Sequence, residues 1–272
     1  MRSATRLTRR QLLHLSAGSL LAAGLWPGAL AAADAGAPDE FQFLVVNDVH
    51  YLSQRCGPWL EGVVKQMKER PEKIDFCLLA GDLSEHGRAE QLAPVRSLFR
   101  ALGRPVHVVV GNHDYRAAND RKPYEDLFPG SINYHFEHRG WQYLGLDTSE
   151  GNRAKVTVQP PTLRWLDDTL PKLDKKRPTV VFTHFPLGPT VIYRVRNADD
   201  VLDRFKAYNL QAVYCGHFHG FTERKVGQTT LTTNRCCSFS RSNHDGTKEK
   251  GFFLCRAKDG KIERTFVEAK PS

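Results

Sequence analysis

Five times along this chain a short apolar run stops at a cluster of Asp, Asn, His and Gly. Phe41–Val46 runs into Asn47-Asp48-Val49-His50, Phe76–Ala80 into Gly81-Asp82, and Val106–Val110 into Gly111-Asn112-His113-Asp114. Thr179–Phe182 runs into Thr183-His184, and Ala212–Tyr214 into Cys215-Gly216-His217-Phe218-His219. Continuous apolar runs of this length suit strands buried on both faces, as in a parallel sheet. Helical spacing alternates with them. Leu60, Val63, Val64 and Met67 fall on one helical face, and Leu92, Val95, Phe99 and Leu102 mark a second helix, with Pro94 expected in its first turn. Leu163, Leu166 and Leu170 follow Pro161, expected at the first helical position, and Val201, Leu202, Phe205 and Tyr208 mark a fourth helix. Strand alternating with helix predicts an α/β class with a largely parallel layered core. The stretch Ile132–Asp147, turning at His138-Arg139-Gly140, reads as a hairpin. After His219 the pattern is mostly β: Phe221–Val226, Thr229–Thr233, Phe252–Arg256 and Ile262–Val267.

Residues 1–33 stand apart from this grammar. Arg2, Arg6, Arg9 and Arg10 precede an apolar stretch from Leu12 to about Trp26, and small residues with two A-x-A options follow. Thr8-Arg9-Arg10-Gln11-Leu12-Leu13 resembles the twin-arginine signal, read by the machinery that exports folded proteins. The expectation is a leader over 1–33, a single domain over 34–272 and a periplasmic location; the alternative is an N-terminal anchor in the inner membrane. Beyond the leader, 35 basic residues face 30 acidic ones, a mild +5 that suits an anionic substrate and gives no ground for nucleic-acid binding. The six cysteines form no C-x-x-C, which argues against a tetrahedral zinc site and leaves any disulfide pairing open.

In a parallel α/β sheet the loops that follow the strands gather along one edge, where ligands bind. Here those loops carry Asp48, His50, Asp82, Asn112, His113, His184, His217 and His219. Asp48 and His50 are two apart, as are His217 and His219, so in extended backbone both members of a pair face one side. Any one of these residues has a plain explanation, since Asp and Asn after strands make turns or caps and single histidines are usually structural. All of them together, each behind a predicted strand, point to metal. Carboxylate oxygens mixed with imidazoles suit zinc, iron or manganese better than calcium, and seven such ligands can hold two ions if a carboxylate bridges.

On these residues the chain resembles the calcineurin-like metallophosphoesterase superfamily. The motifs Asp48-Val49-His50, Gly81-Asp82, Gly111-Asn112-His113-Asp114, His184 and Gly216-His217-Phe218-His219 make up its five-part signature. The resemblance implies an αββα sandwich of two mixed sheets flanked by helices, with a dinuclear site at the sheet edge. It implies that Asp48, His50, Asp82 and His219 hold one metal and that Asp82 bridges to a second, held with Asn112, His184 and His217. His113 would face the substrate, oriented by Asp114. Two divalent or mixed-valence ions would outweigh the two carboxylates and a bridging hydroxide, leaving a net positive site for a phosphate ester that the hydroxide attacks. Within the superfamily, purple acid phosphatases carry a tyrosine where Glu85 stands, and the Gly81–Gly87 run looks most like bacterial class III cyclic-nucleotide phosphodiesterases. The favoured expectation is a phosphodiesterase on a small anionic substrate. The alternatives are a broad phosphomonoesterase, and a metal-free scaffold that keeps the fold. Tyr115, Arg116, His86 and Arg194 are candidates for the substrate rim, with Tyr193 and Arg196 beside Arg194. His107 reads as structural, and the sequence alone shows no role for Cys236-Cys237.

Overall fold

A computed structural model of the chain describes residues 40–270, so the expected leader lies outside the described residues. Strands β1 (Phe41–Val46), β2 (Ile74–Ala80) and β3 (Val106–Val109) pair in parallel. The C-terminal hairpin of β10 (Gly251–Lys258) and β11 (Lys261–Glu268) joins them antiparallel through β10 on β1, giving the order β11-β10-β1-β2-β3. The second sheet has the order β4-β5-β6-β7-β9-β8. It contains the predicted hairpin β4 (Tyr134–His138) and β5 (Trp141–Leu146), then β6 (Thr179–Thr183), β7 (Leu210–Cys215), β8 (Thr222–Val226) and β9 (Thr229–Thr233). β5, β6, β7 and β9 run parallel, and β4 and β8 close the edges antiparallel. Both sheets are therefore mixed.

Alternation along the strands sorts side chains into three cores. On β1, Phe41, Phe43 and Val45 point between the sheets, whereas Leu44 and Val46 point outward to helices. Between the sheets Phe43 stacks on Phe76 at 5.1 Å and meets the ring edges of Tyr143 at 5.8 Å and Tyr214 at 6.2 Å. Each such fully buried aromatic contributes on the order of 2 kcal/mol by area alone. Outside, α1 (Gly57–Lys68) and α2 (Ala89–Arg100) cover the first sheet through Leu60, Val63, Leu92 and Phe99. α4 (Pro160–Thr169) and α5 (Ala198–Arg204) cover the second through Leu166 and Val201. The architecture is the αββα sandwich.

Two local expectations need correction, and one element was not foreseen. α2 begins at Ala89, so Pro94 sits inside the helix rather than in its first turn. The bond it deletes would end on the carbonyl of Glu90, an exposed residue whose carbonyl water can satisfy. α4 begins at Pro160, one residue before the proline expected to open it. The short α3 (Lys122–Leu127), packed against α2, carries too few apolar positions to show periodicity. Meanwhile His107 is structural: its ring stacks on Phe136 at 3.6 Å, inside the inter-sheet core. All six cysteines are unpaired and buried. Cys236 and Cys237 pin the chain after β9, the second by donating its N–H to the Asn47 carbonyl at 3.1 Å.

Candidate metal centre

Three of the strands that end at this edge, β1, β2 and β7, turn sharply into their polar clusters. Asp48, His50, Asp82, His217 and His219 all adopt the left-handed backbone region, with φ between 47° and 65°. Side chains rarely take that conformation because the Cβ crowds the carbonyl, and such residues collect where function demands an orientation. The pairs two apart are thus kinked rather than extended, which corrects the reason for expecting them to share a face. His219 turns toward Asp48 and His50, whereas His217 turns toward His184. Glycines allow the close approach. A Cβ on Gly81 would lie 2.6 Å from His184 Nδ1, and one on Gly216 would lie 2.7 Å from Asp48 Oδ2.

Among the described residues three groups of potential ligands result, one of them His50, Glu85 and His113, and the other two share Asp82. Asp48, His50, Asp82 and His219 offer atoms all within 4.8 Å of one another, and so do Asp82, His184 and His217. One atom serves both sets: Asp82 Oδ2 lies 3.5 Å from His50 Nε2 and 3.2 Å from His184 Nε2. Asn112 Oδ1, 3.2 Å from His184 Nε2, belongs to the second set. The other Asp82 oxygen accepts the His113 N–H at 2.8 Å. Asp48 is held by its neighbours, accepting the His217 N–H at 3.0 Å and the Asn47 side-chain amide at 2.5 Å.

The electrostatics call for cations. Burial favours neutral carboxyls, yet the imidazole of His219 beside Asp48, and that of His184 beside Asp82, hold both acids below the usual range. The same pairs act on the imidazoles. Burial opposes their charge, but Asp82 and Asp48 raise His184 to about 9, and Asp48 raises His219 to about 11. His217 goes the other way, to about 3, through burial and repulsion from His184. Two buried carboxylates that draw protons onto neighbouring imidazoles form a site that metal ions complete by displacing those protons. The donor set fits two transition-metal ions.

The remaining residues divide. His113, 29% exposed at its side chain, packs edge-on to His50 at 4.7 Å and donates Nδ1–H to the Glu85 carbonyl at 2.9 Å. Asp114 does not orient it, contrary to expectation. Its carboxylate is spent on the N–H groups of Ser84 and Gly111, at 2.9 Å each, and bends the loop from inside the core. Burial and the charge of Asp82 raise Asp114 to about 7. Among the rim candidates only Tyr193 touches the cluster, its ring 4.9 Å from that of His217. Tyr115 is buried against Arg121 and lines a separate hollow of about 690 Å³ with Asp147. Arg116 pairs with Asp120 at 2.7 Å, and His86 is exposed with its backbone N–H on Gln91. Arg194 pairs with Asp199 beside another groove of about 470 Å³, and the Arg196 backbone bonds Val156. Two contributors escaped sequence reasoning: Glu85, whose carboxylate accepts the His50 Nδ1–H at 3.0 Å, and Arg241, which pairs with Glu85. Glu85 stands three residues beyond Asp82 in the motif loop, a visible signal; Arg241 has none.

The sequence pattern described as calcineurin-like phosphoesterase matches residues 41–221, which include every ligand above. The chain belongs to this family. It is a metal-dependent phosphoesterase by membership and by its buried His/Asp sets. Among curated proteins it is 27% identical over 209 residues to a glycerophosphodiester phosphodiesterase of Enterobacter lignolyticus, covering 69% of this chain and 74% of that protein. It is 25% identical over 217 residues to a 3',5'-cyclic adenosine monophosphate phosphodiesterase of Pseudomonas aeruginosa, covering 75% and 78%. Two solved structures share the fold. GAP50 of Plasmodium superposes with a TM-score of 0.62 at 15% identity over 85% of each chain. A yellow lupin purple acid phosphatase gives 0.62 at 12% identity, over 86% of this chain and 52% of its own.

Proposed function

We propose that this phosphoesterase hydrolyses phosphodiesters of small anionic substrates. The carrying observation is the single Asp82 oxygen facing both ligand sets, which matches a pair of ions holding one phosphoryl group. Two ions bound there would polarise the phosphoryl oxygens and supply a nucleophilic water at neutral pH. The chain's own groups do the rest. Asp82 fixes the spacing of the two sets and orients the His113 backbone. Nδ1–H of His113 is committed to the Glu85 carbonyl and Nε2 has no hydrogen-bond partner among the described residues, so a proton held at Nε2 would be available to the leaving alkoxide. The two phosphodiesterase relatives support diesters over monoesters. Metal-restored protein should hydrolyse bis(p-nitrophenyl) phosphate faster than p-nitrophenyl phosphate. The reverse order would make it a phosphomonoesterase, and a failure to bind metal would leave a scaffold.

We also propose that residues 1–33 direct twin-arginine export and that residues 34–272 form the mature periplasmic enzyme. Prior folding lets the centre fill before crossing. Changing Arg9 and Arg10 together to Lys should hold the precursor in the cytoplasm. Unimpaired export would point to the general secretory route, and retention of the mature chain in the membrane to an anchor.

A further inference from the structure

Three long connections wall the metal edge, and the longest, residues 234–250, leads from β9 in one sheet to β10 in the other. A connection of that length without strand or helix is uncommon in a compact domain unless it serves a site. This one is firmly built. Lys250 Nζ donates to the carbonyls of Ser238 at 2.6 Å and Arg241 at 2.5 Å, while Asn243 bonds Cys236, Thr247 and Glu249. It reaches the ligands directly: the Ser242 carbonyl lies 3.3 Å from His219 Nδ1, and the His244 N–H donates to the His219 carbonyl. The whole connection lies beyond the residues shared with the family pattern.

Arg241 sits at its turn. Nε donates to Glu85 Oε2 at 3.0 Å and Nη2 donates to Glu85 Oε1, so one edge of the guanidinium is clamped by a carboxylate that also holds His50. A planar guanidinium has a second donor edge, made by Nη1 and the other hydrogen of Nη2. Among the described residues Nη1 has no hydrogen-bond partner, and the side chain is 38% exposed. The clamp fixes the plane on a residue that itself holds His50 at 3.0 Å and His113 at 2.9 Å, leaves the second edge unpartnered among the described residues, and removes much of the entropy cost of ordering a long side chain.

We propose that Arg241 is a specificity-determining residue whose free edge receives a phosphoryl oxygen of the substrate next to the His50/His219 half of the centre. This inference rests on the phosphoesterase reading and adds a substrate contact to it. Planar, two-point recognition of phosphate is what arginine does and lysine does not. Arg241→Ala and Arg241→Lys would be prepared with metals restored, metal content measured, and inorganic phosphate titrated by calorimetry alongside kinetics on bis(p-nitrophenyl) phosphate. In both variants metal content should equal that of the unaltered enzyme. Phosphate affinity should fall and KM rise by ~10-fold or more, the size of a lost charge-assisted contact, with kcat changed far less. Arg241→Lys should recover little. Unchanged phosphate affinity at full metal content would overturn the proposal. Loss of metal in Arg241→Ala would also overturn it, making Arg241 a strut for Glu85 and His50. If the unaltered, metal-loaded enzyme neither binds phosphate nor hydrolyses the ester, the phosphoesterase reading itself falls, a result distinct from both.

Discussion

The two halves of the metal centre are supplied alike and supported differently. In the His184/His217 half each imidazole rests its outer nitrogen on a main-chain carbonyl, His184 on Ala80 at 2.9 Å and His217 on Ala154 at 3.1 Å. In the His50/His219 half His219 also faces a carbonyl, but His50 faces the carboxylate of Glu85. A carboxylate behind a ligating imidazole makes it more basic and holds its ring and tautomer more firmly than a neutral carbonyl does. Glu85 remains charged to do so: burial opposes ionisation, yet the His50 hydrogen bond and Arg241 bring it to about 2. The half with the stronger donor also carries the added cation and His113. The centre is thus asymmetric, one half backed by main-chain carbonyls of β2 and of the connection between β5 and α4, the other by the charged Glu85 and the long connection that bears Arg241.

The change that should erase the asymmetry altogether is Asp82→Asn. It removes charge from the one residue common to both sets, so metal content should fall toward one ion or none and turnover by at least ~10³-fold. Elemental analysis beside kinetics checks this, and full occupancy with normal turnover would remove Asp82 from its shared place. Next in size is His113→Ala. Both metals should stay, because its side chain lies outside the two sets that share Asp82. Rates on alkyl esters should drop ~10²–10⁴-fold, as for loss of a general acid, and clearly less on p-nitrophenyl esters, whose leaving group needs no proton. Equal losses on both would reduce His113 to an electrostatic role.

Glu85→Gln tests the comparison itself. The amide keeps the shape and loses the charge behind His50, so one metal-binding step should weaken ~10–100-fold while the other holds. Competition with a chelator would separate the two steps. Parallel weakening of both would show that the halves act as one unit.

How much of this asymmetry the sequence carried follows from how each part is built. The ligands were legible because each sits immediately after an apolar run, and a strand's end has only one place to go in a parallel sheet. Their division between halves was legible only through family resemblance, since it depends on left-handed kinks at His217 and His219 that alternation does not foresee. Asp114 was misread because adjacency to His113 says nothing about direction; its oxygens turn inward to Ser84 and Gly111. Arg241 was invisible. It reaches Glu85, 156 positions earlier, only because β10 returns to lie beside β1, a topology set by pairing rather than by any local pattern.

The smallest effect comes from a residue in neither half, and it shows whether acid sensitivity belongs to the centre or to the body of the fold. His107 is packed on Phe136 between the sheets, where burial and then the neighbouring His138 lower it to about 4. In the unfolded chain an ordinary histidine takes up its proton near pH 6.5. Between those two values the unfolded chain binds a proton that the folded chain refuses, so acidification favours unfolding. The contribution of neutral His107 is whole above about 6.5 and lost progressively as the pH falls toward 4. His107→Phe keeps a flat ring on Phe136 and removes the proton. In metal-free protein its Tm should therefore fall less steeply over that interval, by ~2–4 °C if the linkage is worth about 1 kcal/mol. Comparing slopes rather than absolute Tm cancels any packing change that the larger ring brings. If the two slopes coincide, the acid sensitivity resides in the carboxylate–imidazole pairs of the centre, and the asymmetric edge governs stability as well as chemistry.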